Sequence, residues 1–242
     1  TVDLLQGYAS FEDDDARHRV RVGRQTMRIG SERLVARQIY RNTINTFTGL
    51  DYRYSPSSHS SLRAFWMLPV RRLPERREAL LDGRIEFDRE SIDQQFFGVS
   101  WRSELGGEVA WEAYGLGLVD REDRGQRRRL YTVGVRALRP PAVEALDFEA
   151  EGIAQFGRSE SNGRSNLEHR AWLVHASAGD TTDWAWRPRI RLALDVASGD
   201  RDPLDGSNER FDGLFGAQRF DFGPTGIYGA IARANILSPE VR

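Results

Sequence analysis

Charged side chains recur at every second position along several stretches of this sequence, a spacing that could bind and guide anions. The clearest stretch, WRPRIRLALDVASGD at 186–200, has Arg187, Arg189, Arg191 and Asp195 at odd positions. Similar alternating stretches contain Arg21, Arg53 and Arg136. A guanidinium group holds a carboxylate through two parallel hydrogen bonds, which a lysine ammonium cannot do. A ladder of arginines therefore predicts a surface that binds carboxylate-bearing ligands.

Acidic residues form a second ladder, at Asp147, Glu149 and Glu151 in ALDFEAEGIAQFG. If these carboxylates face arginines on neighbouring strands, they hold the guanidinium groups in fixed rotamers and balance the charge of the arginine ladder. The alternative is that each carboxylate is simply solvated. Together with the arginines, they are the candidate binding residues.

The sequence contains no recognisable catalytic or metal-binding motif. The four histidines are dispersed, there are no cysteines, and no serine lies in G-x-S-x-G. No P-loop or dinucleotide fingerprint precedes a helix. Paired glycosidase carboxylates stay open, since any two of the 36 acidic residues could face each other. The prediction is a protein that is not an enzyme and has no cofactor and no metal.

The elements that position these residues are predicted to be long β-strands. Within 189–197 the even positions are Ile190, Leu192, Leu194 and Val196, so one face of this strand is apolar and the other charged. Alternation also predicts strands within 18–30, 45–55, 61–70, 92–103, 108–119, 128–138, 145–157 and 167–179. Most of these stretches match the roughly 9 to 11 residues of a membrane-spanning strand better than the 5 to 6 of a globular one. One short loop helix is predicted within 73–84.

Composition restricts the partners. The formal net charge of the 242 residues is -1, so no overall charge attracts nucleic acid. Mean hydropathy is -0.57, and no stretch approaches the roughly 20 apolar residues of a spanning helix. Alternating strands joined by short turns on one side and long polar connectors on the other are typical of an outer-membrane barrel.

Two blocks of sequence resemble the alginate export family of outer-membrane barrels. They are RVGRQTMRIGSERL at 21–34 and LDVASGDRDPLDGSNERFDGLFGAQRFDFG at 194–223. The resemblance implies a pore-lining or loop-anchoring role for Arg24, Arg28 and Arg33. A bulge expected at Gly23 and Arg24 leaves open which of these arginines face inward.

The resemblance also implies an antiparallel transmembrane β-barrel of about eighteen strands, whereas this chain has room for about ten to twelve. Residues 1–242 are therefore expected to form a single barrel domain that is incomplete at both ends. The expected function is passive conduction of an alginate-like anionic polysaccharide, or of related anions, across the bacterial outer membrane. Expected partners are this polymer, outer-membrane lipid and periplasmic export proteins, but no nucleic acid. The alternatives are a general or substrate-selective porin, and a soluble β-sandwich that acts on or binds carbohydrate.

Overall fold

The computed structural model describes residues 4–37, 44–74, 76–105, 108–121, 127–217 and 233–242. The first six strands are β1 (Gly7–Glu12), β2 (His18–Gln25), β3 (Phe47–Ser57), β4 (Ser60–Pro69), β5 (Gln94–Leu105) and β6 (Val109–Asp120). The remaining strands are β7 (Arg128–Arg139), β8 (Asp147–Ser161), β9 (Arg164–Thr181), β10 (Arg189–Ala197), β11 (Ser207–Asn208) and β12 (Ile236–Val241). One helix, α1 (Arg77–Leu81), lies inside the predicted 73–84 stretch.

All twelve strands belong to one sheet, in the order β1 to β10 followed by β12, with β11 added alongside β9. Every pairing along this path is antiparallel, while the two residues of β11 pair with β9 in parallel. The sheet is open, because β1 and β12 each have one neighbour within the described residues. The prediction of an all-β, antiparallel, partial barrel is confirmed.

The outer face of the sheet is apolar and exposed. On β10, Ile190 and Leu192 are 67% and 57% exposed, and on β9 Trp172 and Val174 are each 46% exposed. In a folded chain surrounded by water, such a continuous apolar surface would be unusual. The same surface is what hydrocarbon requires of a spanning strand, whose outward side chains are apolar and whose inward side chains are polar.

The opposite face, here the covered face, is packed against two segments that lie outside the strands. These covering segments are residues 27–36, which follow β2, and residues 211–217, which follow β11. Met27 and Val35 are almost completely buried, and the ring of Phe215 lies 5.1 Å from that of Phe47 on β3. Apolar contact with the covered face of the sheet, which forms the wall behind both segments, therefore holds them in place.

The contacts of residues 211–217 show that the sheet curls around them. The Phe211 N–H donates to the Ser198 carbonyl just beyond β10, while Phe215 contacts Phe47 on β3. Phe211 and Phe215 are four residues apart and can be at most about 14 Å from each other. In a flat sheet, β3 and β10 would be seven strand spacings apart, about 34 Å. The covered face is therefore concave.

The connections differ between the two ends of the sheet. At the short-turn end they are 13–17, 58–59, 106–108, 140–146 and 182–188. At the long-connection end they are 26–46, 70–93, 121–127, 162–163 and 198–235. This is the asymmetry expected from the sequence, although 162–163 is itself a tight turn. No helix among the described residues is long and apolar enough to cross a membrane.

Candidate functional site

Six ionisable residues form one continuous row on the covered face, each directly opposite the next on the neighbouring strand. From β5 to β10 this charged row contains Arg102, Glu112, Arg136, Glu151, His175 and Asp195. Basic and acidic side chains alternate along it, and opposite charges placed directly across a sheet stabilise each other. The register of the strands therefore creates an ordered line of charge that is fixed in the wall.

Short hydrogen bonds join most members of the charged row. Arg102 donates to Glu112 at 3.2 Å, and Arg136 donates to the other oxygen of Glu112 at 2.8 Å. His175 Nδ1 lies 2.9 Å from Asp195 Oδ1, and both side chains are buried. Glu151, at the centre of the row, takes its partners from elsewhere.

Arg33, on the covering segment 27–36, contacts the acidic ladder of β8. Its Nη1 donates to Glu149 Oε1 and to Glu151 Oε2, both at 2.7 Å. Tyr114 donates its hydroxyl proton to Glu151 at 2.8 Å, and Ser31 donates to the same carboxylate at 2.6 Å. The buried carboxylate of Glu151 is therefore well satisfied, and it ties the covering segment to the wall.

A glycine allows the covering segment to turn at this point. Gly30 has a φ of 55°, in the left-handed region that glycine adopts most readily. A Cβ atom at this position would lie 3.4 Å from a Glu112 carboxylate oxygen and 3.6 Å from the Tyr114 ring. The turn thus brings the backbone of 27–36 close to the charged row.

The third member of the acidic ladder, Asp147, pairs with a predicted site residue on β10. Arg189 donates to both carboxylate oxygens of Asp147, through Nε at 2.9 Å and through Nη2. Arg191, two residues further, donates to the Ser177 hydroxyl at 3.1 Å. The predicted contact between the two ladders is present here, and it leaves little free positive charge on this side of the sheet.

A second row has a different character, because three arginines lie side by side in it. Arg19, Arg53 and Arg63 are directly opposite one another on β2, β3 and β4. Arg63 forms an ion pair with Asp51, whereas Arg19 and Arg53 form none within the described ranges. Arg21 faces the same side and stacks over Tyr8, with its guanidinium carbon 5.0 Å from the ring centroid. We call Arg19, Arg53 and Arg63 the arginine row.

A cavity of about 300 Å³ lies beside the arginine row on the covered face. Arginine, serine and tyrosine side chains surround it, among them Arg28, Arg53, Arg63, Arg102, Ser61, Ser100 and Tyr114. Glu112 also borders it, but this carboxylate is already bound by Arg102 and Arg136. The cavity therefore offers hydrogen-bond donors and positive charge, which suits an anionic or hydroxyl-rich ligand.

Three predicted site residues lie off the covered face or at the edge of this cavity. The strand register runs through Gly23 without a shift, so the expected bulge is absent and Arg24 follows Val22 onto the outer face. Arg187 lies in the exposed turn between β9 and β10, not on a strand. Arg28 borders the cavity, but its side chain is 52% exposed and lies 3.6 Å from Glu32.

Arg24 has a structural partner instead. It donates to Glu90 at 3.0 Å, and Thr48 donates to the same carboxylate oxygen. Burial alone would raise the pKa of Glu90. The hydrogen bonds from Thr48 and Arg24 together outweigh this effect of burial, so the pKa lies below its ordinary value. This contact fastens the 70–93 connection to the end of β2 and β3.

Several residues of the site were not predicted from the sequence, namely Arg19, Arg63, Arg102, Glu112, Tyr114 and His175. Alternation alone assigns most of them to the polar side of their strands. Their importance comes from cross-strand register, which places Glu112 between two arginines and His175 between two acids. Among the described residues, no group of His, Cys, Asp and Glu side chains could hold a metal ion.

The family model for alginate export matches residues 1–242, which is the whole chain. A search of curated proteins found no match.

Proposed function

Because the chain belongs to the alginate export family of outer-membrane transport proteins, we propose that it forms a passive, anion-selective channel for an alginate-like polysaccharide. The polymer passes along the concave, covered face, and outer-membrane lipid surrounds the apolar outer face. No step requires an energy source, since the concentration of polymer on either side sets the direction. Periplasmic export proteins that deliver the polymer are proposed as partners.

The arginine row is the observation that carries this proposal. Like charges directly opposite one another on a sheet repel, so Arg19 and Arg53 beside Arg63 raise the free energy of the empty wall. A carboxylate bound between them relieves this repulsion. A polyuronate presents one carboxylate on each sugar, so that successive residues of the polymer meet the same site in turn.

The covered face combines this positive region with a neutralised one. The charged row and the Arg189–Asp147 pair place each arginine next to a carboxylate, so they contribute structure more than attraction. A polymer that met bidentate arginines at every level would bind too tightly to move. Weak sites in limited number favour passage, because conduction requires that a bound ligand also leaves.

Selectivity of the full-length protein in planar bilayers tests the role of the arginine row. In the double variant Arg19→Gln and Arg53→Gln, the permeability for anions relative to cations should fall several-fold, since two unpaired positive charges are lost. A matched control replaces Arg139 and Arg170, which lie on the outer face, with Gln. If both double variants keep wild-type selectivity, the arginine row does not select the ligand.

A second measurement separates a polysaccharide channel from a general porin. Short polyuronate chains added to one side should interrupt the small-ion current of the wild-type channel, and the interruptions should shorten in the Arg19 and Arg53 double variant. A neutral glucan of equal length should have a much weaker effect. Equal interruption by both polymers would favour the general porin.

A further inference from the structure

A second group of arginines lies on the outer face, away from the covered face that carries the proposed channel. On β7 and β8, Arg129 and Arg158 are directly opposite each other and both are exposed. Neither has a carboxylate partner within the described part of the chain. Arg129 donates to the Tyr131 hydroxyl at 2.8 Å, and Arg158 donates to the Asn166 carbonyl at 3.2 Å. Two exposed like charges are thus held in adjacent positions by neutral acceptors.

The neighbouring carboxylates do not neutralise this pair. Glu168 is directly opposite Arg158 on β9, but both of its short contacts, at 2.9 and 2.6 Å, are with Arg170. Glu160, two residues beyond Arg158, accepts a hydrogen bond from the backbone N–H of Arg127 at 3.1 Å. The positive charge of Arg129 and Arg158 therefore remains available to a ligand.

The position of the pair along the strands matches the edge of the apolar belt. Along β8 the outward residues are Phe148, Ala150, Gly152, Ala154 and Phe156, and Arg158 comes next. Phe148 and Phe156 are about 26 Å apart along the strand, close to the height of a lipid-facing apolar band. Phe156 stacks on Tyr131 of β7, with ring centroids 5.8 Å apart. Arg129 and Arg158 thus lie directly beyond an aromatic pair, at the level of lipid headgroups.

A cavity of about 680 Å³ opens at this place, at the long-connection end of the sheet. Arg129, Arg158 and Tyr131 line it, together with Ser165 and Asn166 near the start of β9 and the carboxylates of Asp120 and Glu160. Phe97, level with Tyr131, and Val119, directly opposite Arg129, give the cavity an apolar side on the outer face of β5 and β6. A ligand that fits it has an anionic head and an apolar body.

We propose that Arg129 and Arg158 form a site for the phosphate of a phosphorylated membrane glycolipid, in the leaflet that surrounds the long-connection end. Arginine binds phosphate through two parallel hydrogen bonds, and the phosphate removes the repulsion between the two guanidinium groups. The acyl chains of the same lipid lie along the apolar face below Tyr131 and Phe156. The site rests on the proposed location in the membrane, but not on the conduction of a polymer.

Binding of bisphosphorylated lipid A to the purified full-length protein, measured by native mass spectrometry, tests this site. The variant Arg129→Gln with Arg158→Gln should bind the lipid about 30-fold more weakly than the wild type, since it loses two headgroup-level arginines. Dephosphorylated lipid A should bind wild type and variant equally weakly. A matched control replaces Arg17 and Arg139, which lie at the short-turn end, with Gln and should keep wild-type affinity.

Heat-modifiable mobility in gels shows that each variant is folded. Exchange of both arginines for lysine should restore only part of the affinity, because lysine keeps the charge but not the two parallel hydrogen bonds. Equal affinity of the wild type and the Gln variant for bisphosphorylated lipid A would overturn the site. Conductance measured on the same preparations separates the two proposals. A variant that conducts normally but no longer binds the lipid supports the lipid site. A wild type that conducts but does not bind the lipid refutes the lipid site and leaves the proposed channel function intact.

Discussion

Arg33 is the side chain on which the position of the covering segment 27–36 most depends. It is 4% exposed, and its guanidinium group donates to Glu149 and Glu151 on the sheet. A buried ion pair adds little compared with an apolar contact of the same shape, but the loss of one partner leaves the other charge uncompensated. Glu151 would then lose its ion-pair partner inside the concave face, and Glu149 would keep Arg136, which donates to it at 3.0 Å.

We therefore predict that Arg33→Ala weakens the attachment of this segment by about 3 to 5 kcal/mol. Hydrogen exchange of the backbone amides in 27–36 measures the free energy of opening. Arg28→Ala in the same segment is the control, and it should change this free energy by no more than about 1 kcal/mol, since Arg28 is largely exposed. Equal exchange in both variants would show that apolar packing alone holds the segment.

We predict that the ionisation of Glu90 makes the stability of the protein depend on pH. Its folded pKa lies below the ordinary 4.5, so the charged carboxylate stabilises the fold at neutral pH and this contribution is lost as pH falls through the folded pKa. The melting temperature in detergent should therefore fall between about pH 5 and pH 3, and Glu90→Gln should lower this dependence. Glu86→Gln, at an exposed position of the same connection, should leave it unchanged. A wild-type dependence in Glu90→Gln would assign the effect to other groups.

Individual residues were predicted from the sequence as far as alternation reaches. The pattern distinguishes Arg189 from Leu192 correctly, because neighbouring residues of a strand point to opposite faces. It cannot show that Arg33 meets Glu151, since the two are 118 residues apart and their contact depends on where a covering segment folds back. For Arg24 the resemblance implied a pore-lining or loop-anchoring role, and a bulge expected at Gly23 left its direction open. The continuous register places Arg24 on the outer face.

At the scale of the element, the outer side of β10 gives the most direct prediction. Leu192 is exposed in the middle of an apolar strand face, between Ile190 and Leu194. If this face meets hydrocarbon, Leu192→Arg should destabilise the protein by about 2 to 4 kcal/mol, since a charge must then leave water. Urea unfolding in lipid vesicles measures the change. Ala193→Ser on the covered face is the control, and equal stability of all three proteins would place β10 in water.

Long strands were the most predictable elements, because a period of two continues over many residues. The prediction failed where the chain leaves the sheet. Alternation was expected to continue through 18–30, but β2 ends at Gln25 and residues 27–36 turn inward. The polar connector after β10 shows no alternation, yet it contributes β11 and the buried Phe211. Met27 and Phe211 are buried because they pack against the concave face of the sheet. The strands that form this face are far from them in the sequence.

At the scale of the whole molecule, the open edges of the sheet need partners. In hydrocarbon each unpaired backbone N–H or C=O group costs several kcal/mol, so a spanning sheet must close. We propose that residues 1–242 belong to a single barrel domain in which further strands pair with β1 and β12.

Hydrogen exchange on the full-length protein in lipid vesicles tests closure. Amides of β1 that point away from β2 should exchange as slowly as those of β6, which has neighbours on both sides. Exchange at the rate of an exposed loop would mean that the edge stays unpaired. The tight-turn amides of 162–163 provide the fast reference within the same experiment.

The unequal distribution of charge around the wall has a geometric consequence for any polymer inside. The positive arginine row lies on β2 to β4, whereas the row on β5 to β10 is internally compensated. A polyuronate would thus pass through the pore off-centre. The arginine row would attract it to one side, and only one edge of the polymer would contact the sheet. Groups on the opposite edge, such as acyl substituents, would pass without being sensed.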